Sequence, residues 1–238
     1  MPRPFQSVCL LLLAWPLLST TPAVSQAEAP AVVTFTLDFP SSQPEHYSLR
    51  IPSGGEARYQ SSGRASADSD QTDFHGKNED KDKNKDNDSF DLTFTLAPET
   101  RQKIFDLATK AGYFQKNVDS HRKGLAFTGT KTLAYKDAQR AGESTYNYSN
   151  TPAVQELTTL LQSLSTTLEF GHRLQYDHHY QKLALNEELK RMEEMAHSNQ
   201  LIEVAAIQPI LTQIIADPSV INIARARAQR LLQTSGVH

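Results

Sequence analysis

The hydrophobic positions divide the chain by period. From Ala31 to Phe39, Val33, Phe35, Leu37 and Phe39 alternate with Thr34, Thr36 and Asp38, a period of two that predicts a strand with one buried face. Tyr47, Leu49 and Ile51 repeat it, Pro52-Ser53-Gly54-Gly55 turns the chain, and Ala57 and Tyr59 continue it, so residues 46–61 are expected as a hairpin. Phe90, Leu92, Phe94 and Leu96 predict another strand. Leu125 to Tyr135 and Ser144 to Tyr148 predict a second hairpin, turning near Asp137 to Gly142.

Elsewhere the spacing changes to three and four. Pro98 and Glu99 open a helix whose inner stripe is Ile104, Phe105, Ala108 and Ala111, and Gly112 stops it. Asn150-Thr151-Pro152 begins a long helix burying Val154, Leu157, Leu160, Leu161, Leu164 and Leu168. Beyond Gly171 the period persists through Tyr176, Tyr180, Leu183, Leu185, Leu189, Met192 and Met195, with no turn signal from Tyr176 to Leu189, while the other face becomes heavily charged. Two more helices are expected, Leu201 to Ala216 with a kink or break at Pro209, and Ser219 to Leu232 with Asp217 as its cap and Arg225, Arg227 and Arg230 at its negative end.

These elements predict an α+β fold, an antiparallel sheet of about five to six strands packed by two helices and followed by a helical C-terminal extension. The chain divides into a signal peptide (1–27), an α+β domain (28–170) and the helical extension (171–238). Residues 62–89 interrupt the domain: Asp, Lys, Asn and Ser dominate, Phe74 is almost the only apolar residue until the next strand pattern, and such a tract cannot bury enough surface to offset its ordering entropy. It is expected as a disordered polar insertion between two strands.

The first residues change the picture of where the chain works. Arg3, the apolar run Val8 to Leu18 and the small-residue tail Ala23-Val24-Ser25-Gln26-Ala27 make the three parts of a secretory signal, cleaved near Ser25 or Ala27. The run is about half the roughly 20 apolar residues of a membrane span and contains Pro16. The expected location is the periplasm or the extracellular space, without a stable membrane anchor. Cys9 is the single cysteine and departs with the signal, which excludes disulfides and thiolate chemistry from the mature chain. The formal charge of −3 gives no reason to expect nucleic acid as a partner.

Candidate chemistry is sparse. Asp80, Asp82, Asn84, Asp86, Asp88 and Asp91 occupy positions 1, 3, 5, 7, 9 and 12 of a calcium-loop register and are the candidate metal ligands, but Lys85 stands where that loop needs glycine. Glu169 with His172 and Glu194 with His197 repeat the Glu-x-x-His spacing of di-iron bundles. In one continuous helix, however, the pairs lie about 37 Å apart, so ordinary i,i+4 pairing of Glu169 with Arg173 and of Glu193 with His197 is expected. His178 and His179 point about 100 degrees apart on a helix and do not chelate one ion together. Ser120 to Lys123 and Tyr148-Ser149-Asn150 match two elements of penicillin-binding enzymes, but Lys131-Thr132 lies before the second and lacks the following glycine. No Gly-x-Ser-x-Gly, phosphate loop, dinucleotide fingerprint or His-Glu-x-x-His occurs, so no catalytic or cofactor-binding residue is nominated.

His46 to Ile51, Leu96 to Phe105, Ala111 to Phe114 and Gly129 to Leu133 carry a resemblance that spans residues 31–235. In these segments the chain resembles a group of exported bacterial proteins of unknown function, notably acidobacterial ones. The resemblance implies export and this architecture, and no activity. The functional expectation is a non-enzymatic exported interaction or scaffold protein without a cofactor, meeting an extracytoplasmic protein or a second copy of itself through the long helix. The alternatives are a calcium or small-ligand binder using residues 80–91, and a hydrolase with an unrecognised site.

Overall fold

The computed structural model describes residues 30–40, 42–64 and 87–235. The expected signal peptide and most of the polar insertion, with Asp80, Asp82, Asn84 and Asp86, lie outside them. Six strands, β1 (Val32–Asp38), β2 (His46–Pro52), β3 (Ala57–Arg64), β4 (Asn87–Phe94), β5 (Thr130–Lys136) and β6 (Ala141–Tyr146), form one antiparallel sheet in the order β4-β3-β2-β1-β5-β6. The helices are α1 (Pro98–Lys110), α2 (Pro152–Tyr180), α3 (Leu185–His197), α4 (Gln208–Ala216) and α5 (Asn222–Ser235), so the α+β class with C-terminal helices holds.

Alternation decides which sheet face is covered. Val33, Phe35, Leu49, Ile51, Tyr59 and Leu133 are fully buried beneath the helices, whereas the opposite face carries Thr36, Ser48, Gln60, Thr132 and Thr145 in one row across the strands. Thr132 and Thr145 hydroxyls meet there at 3.0 Å. A face of such residues needs no cover, because each side chain can hydrogen-bond to water.

Several expected boundaries move. β3 and β4 reach into the polar tract from both ends, pairing Ser62 with Ser89, Gly63 with Asp88 and Arg64 with Asn87. Leu125 to Gly129 is not strand: Leu125 and Phe127 are exposed, and Phe127 meets Phe39 edge-on with ring centres 5.8 Å apart. Gly112, Tyr113 and Phe114 all have positive φ, near 60°. Burial of Phe114 and the Arg140 guanidinium 4.1 Å from the Tyr113 ring hold that left-handed turn. It packs under β6 so closely that a Cβ on Gly142 would overlap the Tyr113 carbonyl oxygen.

α2 continues unbroken through Gly171. The composition shift there marks a crossing: a Cβ on Gly171 would stand 2.5 Å from Ile207 Cγ2, so glycine lets the segment before α4 approach the helix backbone. The long helical pattern does break later. Residues 181–184 form a turn between α2 and α3, with no glycine or proline to announce it. Pro209 sits in the first turn of α4, after a short 3-10 segment Val204–Ile207.

Polar contacts fasten the later helices. α1 lacks a capping side chain at Ala97, and Glu203 supplies one: its carboxylate accepts the Ala97 N–H at 3.0 Å and the Thr100 hydroxyl. Arg173 pairs with Glu188, and Arg227 and Arg230 both pair with Glu193 instead of ending their helix against its dipole. Asp217 accepts Lys182 Nζ at 2.6 Å and Ser219 N–H at 2.9 Å and meets His178 Nε2 at 3.0 Å. It fixes the α4–α5 turn and does not cap α5, which begins at Asn222. Lys182 first, with the Ser219 donors, holds the Asp217 carboxyl far below the usual range.

Candidate interaction surface

α2 is laid across the sheet, and its contacts can be followed strand by strand. Thr158 near its start accepts the Tyr146 hydroxyl of β6 at 2.5 Å. Two turns on, Ser165 and Glu169 meet β3: Tyr59 donates to Glu169 Oε1 at 2.7 Å and lies 3.1 Å from the Ser165 hydroxyl, and Ser61 donates to the same Oε1 at 2.6 Å. His172 then stacks flat on Phe90 of β4, with ring centres 4.2 Å apart and planes 7° apart. Thr158 to His172 is about 21 Å of helix, and β6 to β4 is about 24 Å at ordinary strand spacing. The helix therefore crosses the sheet from one edge strand to the other.

The middle of this stripe is polar and buried. Glu169 is 9% exposed. Burial works to raise its carboxyl, but His172, Ser61 and Tyr59 outweigh that and hold it below the ordinary value, so the group is ionised at neutral pH. Burial raises the Tyr59 and Tyr47 phenols far above their usual range, and they stay protonated donors. The expected surface pair of Glu169 with Arg173 does not form, because Arg173 turns to α3. Glu169 instead pins α2 to the sheet. Ser61 and Tyr59 both donate their hydroxyl protons to this one carboxylate oxygen.

Beyond His172 the stripe meets no strand among the described residues. Tyr176 and Tyr180 follow at four-residue steps and are 53% and 69% exposed, and Leu183 in the turn is 81% exposed. The two tyrosine rings lean on each other with centres 5.0 Å apart, and His179 lies edge-on to Tyr180. β4 is the edge strand, and among the described residues no strand pairs with its outer side. From His172 to Tyr180 the helix advances about 12 Å, roughly two strand spacings. An unpaired strand edge and an overhanging aromatic floor thus form a notch at one side of the sheet. At the opposite side the inner face is closed by the left-handed turn and by Val118, whose N–H donates to Ser144 Oγ at 3.0 Å.

Of the nominated metal ligands, Asp80, Asp82, Asn84 and Asp86 lie outside the described residues. Asp88 lies on β4 with its side chain outside the described residues. Asp91 is on the solvent face of β4, where Arg58 and Gln60 take its carboxylate. The two Glu-x-x-His pairs are not brought together into one site among the described residues, although within the first His172 Nδ1 stays 3.9 Å from Glu169 Oε2. Glu169 joins β3, while His197 Nδ1 meets the Glu193 carbonyl at 2.7 Å. Among the described residues no three His, Asp or Glu side chains are placed to share a metal ion. Elsewhere, buried Lys131 donates to Thr128, Gly129 and Asn147 oxygens, and burial lowers its pKa. A shallow cavity of about 720 Å³ beside α1 is lined by Ser53, Glu56 and Arg101 among others, but Arg101 is spent on the Pro52 and Gly55 carbonyls.

Among the described residues no helix is long and apolar enough to cross a membrane. Sequence reasoning found the Tyr176 and Tyr180 stripe but could not tell that the sheet ends before it. Compared with protein-family models, with curated proteins and with solved structures, the chain matches none.

Proposed function

We propose that this chain is an exported, non-enzymatic interaction module and that the notch between β4 and the overhanging end of α2 is its contact surface. One observation carries the reading: a helix pinned to its own sheet by a buried carboxylate continues past the sheet edge and presents two tyrosines and a leucine to solvent. Large exposed apolar side chains grouped on a rigid element are the usual mark of a binding surface, and tyrosine is favoured in such places because it gives much contact area for little lost freedom. The edge strand adds a row of backbone groups, unpaired among the described residues, that an incoming chain can satisfy.

The test uses the near absence of thiols. In a Cys9→Ser background, Tyr176→Cys is labelled with a membrane-permeant maleimide in intact cells and again after purification and dilution. The reading expects protection in cells and rapid labelling after dilution, with Tyr148→Cys, exposed near the β6 side, labelled in both. Equal labelling of position 176 in the two states would overturn it.

A further inference from the structure

We infer that the occupant of the notch is the same notch on a second copy of this chain, with the two β4 strands paired antiparallel about a two-fold axis. The inference rests on the interaction reading above and names its partner. The notch has two unequal halves, a strand edge without a neighbour and a helix floor without a strand above it among the described residues. A second copy supplies both at once. When the two edges pair, each β4 comes to lie over the other copy's Tyr176 and Tyr180, as Phe90 already lies over His172 in its own copy. This is the self-complementarity that a two-fold contact requires, where each patch meets its own image.

The size and charge of the surface agree. The three exposed side chains present on the order of 400 Å². Covering an eight-residue edge as well brings the total for two copies to roughly 1,200–1,400 Å², the lower end of stable interfaces. A short free peptide would cover the edge and leave much of the overhang bare, because about 12 Å of helix floors two strands and not one. Asp91 would otherwise bring like charges together across the pair, but Arg58 already holds it on the solvent face. Ser89 and Thr93, its neighbours on that face, are small and uncharged.

The purified chain in the Cys9→Ser background is examined by light scattering at micromolar concentration, and single cysteines are placed at Ser89 or Thr93 on β4 and at Thr145 on β6 as a control. The expected results are twice the monomer mass, a dissociation constant raised at least about tenfold by Tyr176→Ser with Tyr180→Ser, and an intermolecular disulfide from whichever β4 position lies nearer the axis but none from Thr145→Cys. A monomer overturns the inference, as does a dimer trapped through Thr145→Cys alone. A monomer whose position 176 is still protected in cells leaves the interaction reading standing with a different partner. A monomer without that protection removes both.

Discussion

His172 lies flat against Phe90, and this stack is the last place where α2 has sheet beneath it. Up to that point the helix face is satisfied by its own molecule, through Thr158, Ser165 and Glu169. Past it, the same face meets solvent with Tyr176 and Tyr180. Stability and recognition are therefore divided along one helix, which allows them to be tested separately.

Glu169 belongs to the stability half. Its folded pKa lies below the ordinary value despite burial, so its contribution is fully present above the unfolded glutamate pKa of about 4.3 and is lost as pH falls through the folded value. Glu169→Ala leaves the Tyr59 and Ser61 hydroxyls without their acceptor and is expected to cost about 2–4 kcal/mol at neutral pH. Glu169→Gln should flatten the acid side of the stability profile. Urea titrations between pH 3 and 7 check both, and a Glu169→Gln profile parallel to that of the unaltered chain would contradict the assignment.

Gly171 should resist replacement. Alanine is better than glycine in a helix by about 1 kcal/mol, yet its Cβ would meet Ile207 Cγ2 at 2.5 Å. Overpacking of this kind costs about 1–3 kcal/mol, so Gly171→Ala is expected to lower the melting temperature. Combining it with Ile207→Ala should recover more than adding the two single effects predicts, which a double-mutant cycle measures.

Glu203 caps α1 from a distant part of the chain. Glu203→Ala is expected to cost about 1 kcal/mol, as other lost caps do. Glu203→Gln should retain much of it, because the amide oxygen still accepts. Faster amide exchange confined to Ala97 to Arg101 in Glu203→Ala would locate the effect.

Much of this architecture can be read from the chain because local patterns and tertiary packing agree. Val33, Phe35 and Leu37 alternate and are buried, and Pro98 and Pro152 stand where helices begin. The failures occur where the deciding partner is remote. Leu125 and Phe127 alternate like a strand, but among the described residues no strand pairs with that segment, and the Asn147 side chain takes the Ala126 carbonyl and the Thr128 N–H instead. The turn at 181–184 comes from folding α3 back on α2, fastened by Arg173 with Glu188, and needs no special residue. Glu169 looks like a surface acid with an arginine four residues on, and only the sheet shows that its partners are Tyr59 and Ser61, over a hundred residues earlier. The notch was half legible for the same reason: Tyr176 and Tyr180 share a stripe in sequence, but where the sheet ends is a property of strand order.

The recognition half should be separable from folding. Tyr176→Ser with Tyr180→Ser removes two half-exposed rings that lean on each other and, at concentrations where the chain is monomeric, is expected to change unfolding free energy by no more than about 0.5 kcal/mol. Circular dichroism and thermal melts check that the variant remains folded. A large loss of stability would mean that these rings pack within the single copy.

The most direct measurement of the central claim is photo-crosslinking in living cells from benzoylphenylalanine placed at Tyr180, compared with the same probe at Tyr148. The account predicts a discrete, light-dependent adduct from position 180 that the Tyr176→Ser variant weakens, and none from position 148. Adducts of equal yield from both positions, or from neither, would contradict it.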